Sequence, residues 1–104
     1  PTIWVQSLNA TTALSKSTWT ATVTVKVIGA DGSGVPNATV STTWSAGSPD
    51  TCTTGSAGTC AVTSDNLNKR KVASVNLTVS GVTHATLVWD QTRGQNTLNV
   101  ARPG

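Results

Sequence analysis

The stretch TWTATVTVKVI, from Thr18 to Ile28, restricts the possible folds of this chain more than any other segment. Between Trp19 and Val27, apolar Trp, Ala and Val alternate with polar Thr and Lys at every second position. This period of two is typical of an antiparallel strand that has one face in a core and the other in water. An amphipathic helix needs a repeat of about 3.6 residues, so the segment favours a β-fold.

Similar alternation recurs along the chain, and turn-forming residues separate the segments that carry it. Near the start, Ile3 and Val5 share a face, and a bulge would let Leu8 join that face. The other predicted strands are residues 38–45, 50–53, 59–63, 72–80, 85–89 and 97–101, and SDNLNKRK is a predicted polar loop. About eight short strands with a turn signal every 8–12 residues or so are typical of a β-sandwich.

Size and charge limit the classes of function that are open to the chain. A length of 104 residues predicts one domain that spans residues 1–104. The net charge is +3 and the basic residues are mostly scattered, whereas nucleic-acid-binding domains usually carry a dense basic face. No apolar run approaches the roughly 18 residues of a membrane-spanning helix. We therefore expect neither nucleic acid nor a membrane as a partner.

The chain also lacks the residue patterns of common catalytic sites. The acidic residues are Asp only, with no Glu, and each lies in a turn context where Asp bonds its own backbone. His84 lies in an alternating segment, and no nucleophile elbow is present. Asp65, Asn66 and Asn68 form the best local oxygen cluster, but calcium takes about six to eight oxygen ligands. We expect no enzymatic activity, no cofactor and no metal.

The two cysteines, Cys52 and Cys60, have few chemical uses in this context. Structural zinc needs four ligands, and the chain adds only His84. If Cys52 instead faces Cys60 across a hairpin, the loop covers residues 54–58 and ends at Gly58, where a left-handed glycine is favoured. Residues opposed on antiparallel strands lie about 4.5–5.5 Å apart at Cα, within the range of a disulfide. A disulfide predicts an oxidising compartment and hence a secreted protein.

Four runs of the sequence resemble a known family: WTATVTVKV, DGSGVPNATVSTTWS, CTTGSAGTCAVTS and VNLTVSGVTHATLVWD. They are similar to immunoglobulin-like modules of secreted bacterial hydrolases, which often lie C-terminal to a peptidase or a glycoside hydrolase. The resemblance covers about Val5 to Asp90. It implies an immunoglobulin-like β-sandwich of seven or eight antiparallel strands with one hairpin disulfide, an extracellular setting and no catalysis. With linker-like ends, PT and ARPG, we expect a module excised from a larger secreted protein.

Tryptophan side chains are candidates for ligand binding because a flat indole can stack on a sugar ring. Trp19, Trp44 and Trp89 lie in register with the inward residues of their strands, so we predict that they pack in the core. Trp4 lies between two inward residues and is predicted to face outward. Trp4 is therefore the tryptophan that we expect to contact a sugar or a neighbouring domain.

Lys69, Arg70 and Lys71 form the one basic cluster of the sequence. The simplest interpretation is a solvated loop between two strands. The alternative is a contact for an anionic polymer, such as an acidic polysaccharide or a cell-surface polymer. No aromatic residue is interleaved with these cations, as it usually is in nucleic-acid-binding modules.

Two functional hypotheses follow from these observations. The first is a non-catalytic extracellular binding module that anchors a secreted enzyme to a polysaccharide or an extracellular protein polymer. Its ligand-binding residues would be Trp4, Lys69, Arg70 and Lys71. The second is a structural spacer with no ligand of its own, which positions or stabilises neighbouring domains of the parent chain. A β-sandwich hosts many functions, so the fold alone does not choose between them.

Overall fold

The computed structural model describes residues 2–102, which form nine strands in two sheets. The strands are β1 (Thr2–Leu14), β2 (Thr18–Gly29), β3 (Thr39–Trp44), β4 (Asp50–Thr53), β5 (Thr59–Thr63), β6 (Leu67–Asn68), β7 (Ser74–Thr83), β8 (Val88–Trp89) and β9 (Thr97–Ala101). Of the predicted linker-like ends, Pro1, Pro103 and Gly104 lie outside the described residues.

The two sheets pack as a sandwich. The five-stranded sheet has the order β5-β2-β1-β8, with β6 paired to β2 beyond the end of β5, and the four-stranded sheet has the order β4-β3-β7-β9. Every pairing of named strands is antiparallel except that of β1 with β8. The predicted all-β sandwich is confirmed. The two-residue strands β6 and β8 raise the strand number above the seven or eight expected.

Strand β2 supplies the centre of the core, as its alternation predicts. Its inward side chains are at most 1 % exposed, from Trp19 to Val27. The indole N–H of Trp19 donates to the carbonyl of Val72 at 3.0 Å, so this buried ring has a partner for its one polar atom. The second sheet contributes buried apolar residues that belong to the same cluster: Val40, Trp44, Val75, Leu77, Val79 and Val100.

A bulge in β1 keeps its apolar residues on the inner face. The pairing of β1 with β2 shifts between Val5 and Ser7, and Leu8 is only 4 % exposed. An extra residue in one strand reverses the alternation beyond it, so Ile3, Val5 and Leu8 all reach the core. The bulge that the spacing of these residues predicts is confirmed.

The Cys52–Cys60 disulfide is present, with its Cα atoms 5.8 Å apart. The predicted turn is also found, because Gly58 has a φ of +80° and its N–H donates to the carbonyl of Gly55 at 2.9 Å. A Cβ on Gly58 would lie 2.6 Å from the Cα of Gly34, so neighbouring backbone leaves no room for a side chain.

The register expected around the disulfide is wrong. Gly55 donates to the carbonyl of Thr59, so Gly55 rather than Thr53 lies opposite Thr59. Beyond this turn the two arms diverge: β4 pairs with β3 and β5 pairs with β2. The disulfide therefore joins edge strands of the two different sheets instead of two paired strands of one hairpin.

Thr54 holds the chain in place where it crosses from one sheet to the other, close to the disulfide. It is 2 % exposed, and its hydroxyl donates to the carbonyl of Val35 at 2.6 Å and accepts the N–H of Ala38 at 2.9 Å. Its own backbone N–H and carbonyl bond to Ala38 and Asn37. One buried threonine thus holds the loop before β3 against the end of β4.

The domain is elongated, with extents of 45 × 22 × 18 Å. Strand β1 begins beside the end of β2, where Ile3 pairs with Gly29. Strand β9 ends beside the start of β7, where Ala101 pairs with Ser74. Strand β3 starts at the end of the domain where β2 ends, and β7 runs antiparallel to β3. The start of β1 and the end of β9 therefore lie at opposite ends of the long axis, which we call the two poles.

We predict that replacing both cysteines by alanine, C52A/C60A, lowers the free energy of unfolding by about 2–3 kcal/mol, because the unfolded chain gains the entropy of an open loop. Urea unfolding of the variant and of the reduced wild-type protein would measure this loss. A native wild-type domain with two titratable thiols, or an unchanged midpoint in the variant, would contradict the prediction.

We predict that Thr54→Val lowers the free energy of unfolding by about 2–4 kcal/mol, because it leaves the buried Ala38 N–H and the Val35 carbonyl without partners. The matched control is Thr53→Val, at the exposed last position of β4 next to Thr54, where we expect a change of about 0.5 kcal/mol or less. Equal losses in the two variants would show that the Thr54 hydroxyl does not fix the crossing.

Candidate functional site

The turn that carries the predicted basic cluster is held in place by its own hydrogen bonds. The side-chain oxygen of Asn68 accepts the backbone N–H of Arg70 at 2.9 Å and of Lys71 at 3.0 Å. The N–H of Lys69 donates to the carbonyl of Ser17 at 3.0 Å, which ties this turn to the connection between β1 and β2. The cations therefore extend from a fixed backbone.

An open groove of about 340 Å³ lies between these two turns. It is lined by Lys16 and Ser17 from the first turn and by Asn68, Lys69 and Arg70 from the second. Sequence reasoning did not include Lys16, which is far from the cluster along the chain. The pairing of β2 with β6 and the bond from Lys69 to Ser17 bring the two turns together, and no local signal in the sequence marks that pairing.

Most of the basic residues of the protein lie at this pole. Lys16, Lys69, Arg70, Lys71 and Arg102 make up five of the seven Lys and Arg residues. The guanidinium of Arg102 donates to the carbonyl of Lys69 at 2.5 Å, which places it directly behind the groove. We call these five residues the basic pole.

Among the described residues, neither Asp50 nor Asp65 forms an ion pair with a cation of the basic pole. Asp65 accepts the backbone N–H of Ser48 at 2.9 Å, and Asp50 accepts the indole N–H of Trp44 at 2.8 Å. Within residues 2–102, the one ion pair shorter than 4.0 Å joins Arg93 and Asp90 at the opposite pole. Among the described residues, the cations of the basic pole therefore have no carboxylate within ion-pair distance.

Trp4 lies on the outer face of the first sheet, as the alternation predicts, and is half-buried. Its cross-strand neighbour is Ile28. The guanidinium carbon of Arg93 lies 4.9 Å from the centre of the Trp4 ring, which is a cation–π contact. Gly94 also packs close to the Trp4 ring, since a Cβ on Gly94 would lie 3.0 Å from Trp4 Cδ1. The indole face that a sugar could use is therefore shared with the 90–95 loop.

The other three tryptophans pack in or against the core. Trp19 is 1 % exposed and Trp44 is 7 % exposed, which confirms the prediction for both. Trp89 is half-buried against the core cluster, and its indole N–H has no hydrogen-bond partner within the described residues.

The described residues contain no group of three or more His, Cys, Asp or Glu side chains arranged to hold a metal ion. Of the oxygen cluster Asp65, Asn66 and Asn68, the side chains of Asp65 and Asn68 accept hydrogen bonds from backbone N–H groups. His84 accepts the N–H of Thr86 at 3.2 Å through Nδ1 in the turn after β7. Between residues 2 and 102 there is no helix with the length and apolar character needed to cross a membrane.

The pKa of Asp90 provides a test of the loop that covers Trp4. The hydroxyl of Thr92 lowers this pKa below its ordinary value of 3.8, and the Thr92 backbone N–H and the Arg93 charge lower it further, while desolvation opposes them. A lowered folded pKa stabilises the protein above the unfolded pKa, and this stabilisation is lost as the pH falls through the folded pKa.

We predict that Thr92→Val raises the Asp90 pKa towards its ordinary value, and that Arg93→Ala raises it less, because the hydroxyl hydrogen bond is the larger cause. Carboxyl ¹³C NMR titration measures both shifts. A wild-type midpoint at or above the ordinary value, or a larger shift in Arg93→Ala, would contradict this assignment.

Comparisons with known proteins do not extend these observations: no family model, no curated protein and no solved structure matches the chain. The geometry of the two poles and the two-sheet fold are therefore the basis on which a function can be proposed.

Proposed function

We propose that this domain is a non-catalytic extracellular module that binds an acidic polysaccharide through its basic pole and so anchors a secreted enzyme to an insoluble substrate. The observation that carries the proposal is the groove of Lys16, Ser17, Asn68, Lys69 and Arg70, whose cations have no carboxylate partner. The resemblance to immunoglobulin-like modules of secreted hydrolases supports the same assignment.

The groove offers the chemistry that a uronic or sulfated sugar needs. Lys16, Lys69 and Arg70 supply positive charge, and Ser17 and Asn68 supply neutral polar atoms for hydroxyl groups. The groove is open to solvent, which suits a chain that passes across the pole. Because the cations are exposed or half-exposed, binding rests on screened charge contacts and weakens as salt increases.

Trp4 has a secondary place in this proposal. It lies near the other pole, beside the parallel pairing of β1 and β8, and Arg93 covers part of its ring. A polymer contact that is confined to the basic pole does not involve Trp4. Trp4 is better suited to contact a neighbouring domain of the parent chain, which would also involve the 90–95 loop.

A structural spacer is the second candidate function, and one observation favours it. The first and last strands reach opposite poles of a domain that is 45 Å long. A domain of this shape holds its two neighbours apart, and the disulfide between the sheet edges resists shearing of the sandwich. A spacer needs no ligand, so the two candidates differ in polymer retention.

We predict that the protein is retained on immobilised alginate at low salt, that moderate salt reduces this retention, and that cellulose retains it less. The variant K69A/R70A should bind alginate about tenfold more weakly, since it removes two exposed charge contacts. Affinity electrophoresis and pull-down measure both effects.

The matched control is K26A/R93A, which lowers the net charge equally but leaves the basic pole intact. Equal losses in the two double variants would mean that net charge alone causes retention. No retention on alginate, chitin, cellulose or collagen at low salt would contradict the binding module and favour the spacer. Loss of retention in Trp4→Ala alone would move the binding site to the other pole.

A further inference from the structure

Strand β1 has one backbone edge that faces away from β2. In the first half of the strand this edge is hydrogen-bonded, and in the second half its N–H and carbonyl groups have no partner among the described residues. The backbone N–H of Asp90 donates to the carbonyl of Ile3 at 2.8 Å, and the backbone N–H of Gln95 donates to the carbonyl of Val5 at 2.9 Å. The N–H of Leu8 donates to the side-chain oxygen of Gln95 at 3.3 Å. From Ala10 to Leu14, no described residue bonds to this edge.

The direction of the free backbone groups follows from the opposite strand. Ser64 bonds both the N–H and the carbonyl of Ala21, which therefore point away from β1. Thr12 is the cross-strand partner of Ala21. In an antiparallel ladder, the two residues of a pair either bond to each other or both point their N–H and carbonyl groups away from each other. Thr12, and with it Ala10 and Leu14, thus presents its N–H and carbonyl to the free edge.

The side chains of this edge segment are also uncovered. Ala10, Thr12 and Leu14 lie on the face of β1 that carries Leu8, but all three are exposed, and Leu14 is 46 % exposed. The segment contains no charged residue, no proline and no further bulge. Charged residues, prolines and bulges are what usually keep an exposed sheet edge from pairing with another strand. This edge segment has none of them.

We propose that the edge from Ala10 to Leu14 pairs with the same edge of a second copy of this chain, antiparallel about a two-fold axis at Thr12. Ala10 then lies opposite Leu14 of the second copy, and Thr12 lies opposite its own equivalent. Each of these hydrogen-bonded pairs exchanges two backbone N–H···O bonds. The resulting sheet continues from one domain into the other.

Three features favour a second copy as the occupant. The register sets each exposed Leu14 beside the small Ala10, so both leucines lose solvent contact. Residues 10–14 carry no charged side chain, so no like charges meet across the paired segment. The same surface serves both copies, as a two-fold dimer requires. A contact of one strand pair is small, in the class below about 1,200 Å² that gives transient association.

Analytical ultracentrifugation over a concentration series up to millimolar tests the proposal. We expect a reversible monomer–dimer equilibrium. Thr12→Lys should raise the dimer dissociation constant at least about fivefold, because the two introduced lysines meet at the axis. Thr12→Glu should do the same, and an equimolar mixture of the two variants should associate at least as tightly as the wild type.

The matched control is Thr43→Lys, which adds the same charge at an exposed position of β3 in the other sheet and should leave the dissociation constant unchanged. Circular dichroism checks that each variant is folded. A wild-type protein that stays monomeric at all concentrations would overturn the proposal. So would a dimer that Thr12→Lys leaves intact, or a mixture of charge variants that fails to associate.

Discussion

The burial of one face of β2 is the interaction on which the rest of the structure depends. β2 pairs with β1 over nearly its whole length, and β5 and β6 pair with its other edge. Its inward row, from Trp19 to Val27, is closed from water by the second sheet. Apolar burial stabilises by about 25 cal/mol per Å², so displacing this row would expose the centre of the core.

The local parts of this fold could be predicted from the sequence, because they depend on neighbours along the chain. The alternation marks β2, the spacing of Val5 and Leu8 marks the bulge, and Gly58 marks a left-handed turn. The divergence of β4 and β5 into different sheets could not be predicted, since hydrogen bonds to distant strands decide it. Lys16 was missed for the same reason: its place beside Lys69 depends on a pairing of two residues in β6.

The candidate sites lie where the core strands end. At the basic pole, Asn68 fixes the backbone of one turn and the β1–β2 connection supplies the rest of the groove. At the other pole, Arg93 and the 90–95 loop cover Trp4. Between these poles, the Cys52–Cys60 disulfide joins the two sheets, and the buried Thr54 bonds the loop before β3. Among the described residues, no carboxylate pairs with the cations of the basic pole, and this observation favours the proposed anion binding there.

The most direct test of the account is amide NMR during titration with a short uronic-acid oligosaccharide. The account predicts chemical-shift changes that are confined to Lys16, Ser17 and residues 68–71, and that saturate and weaken with added salt. Shifts centred on Trp4 and the 90–95 loop, or no shifts at millimolar oligosaccharide and low salt, would contradict it.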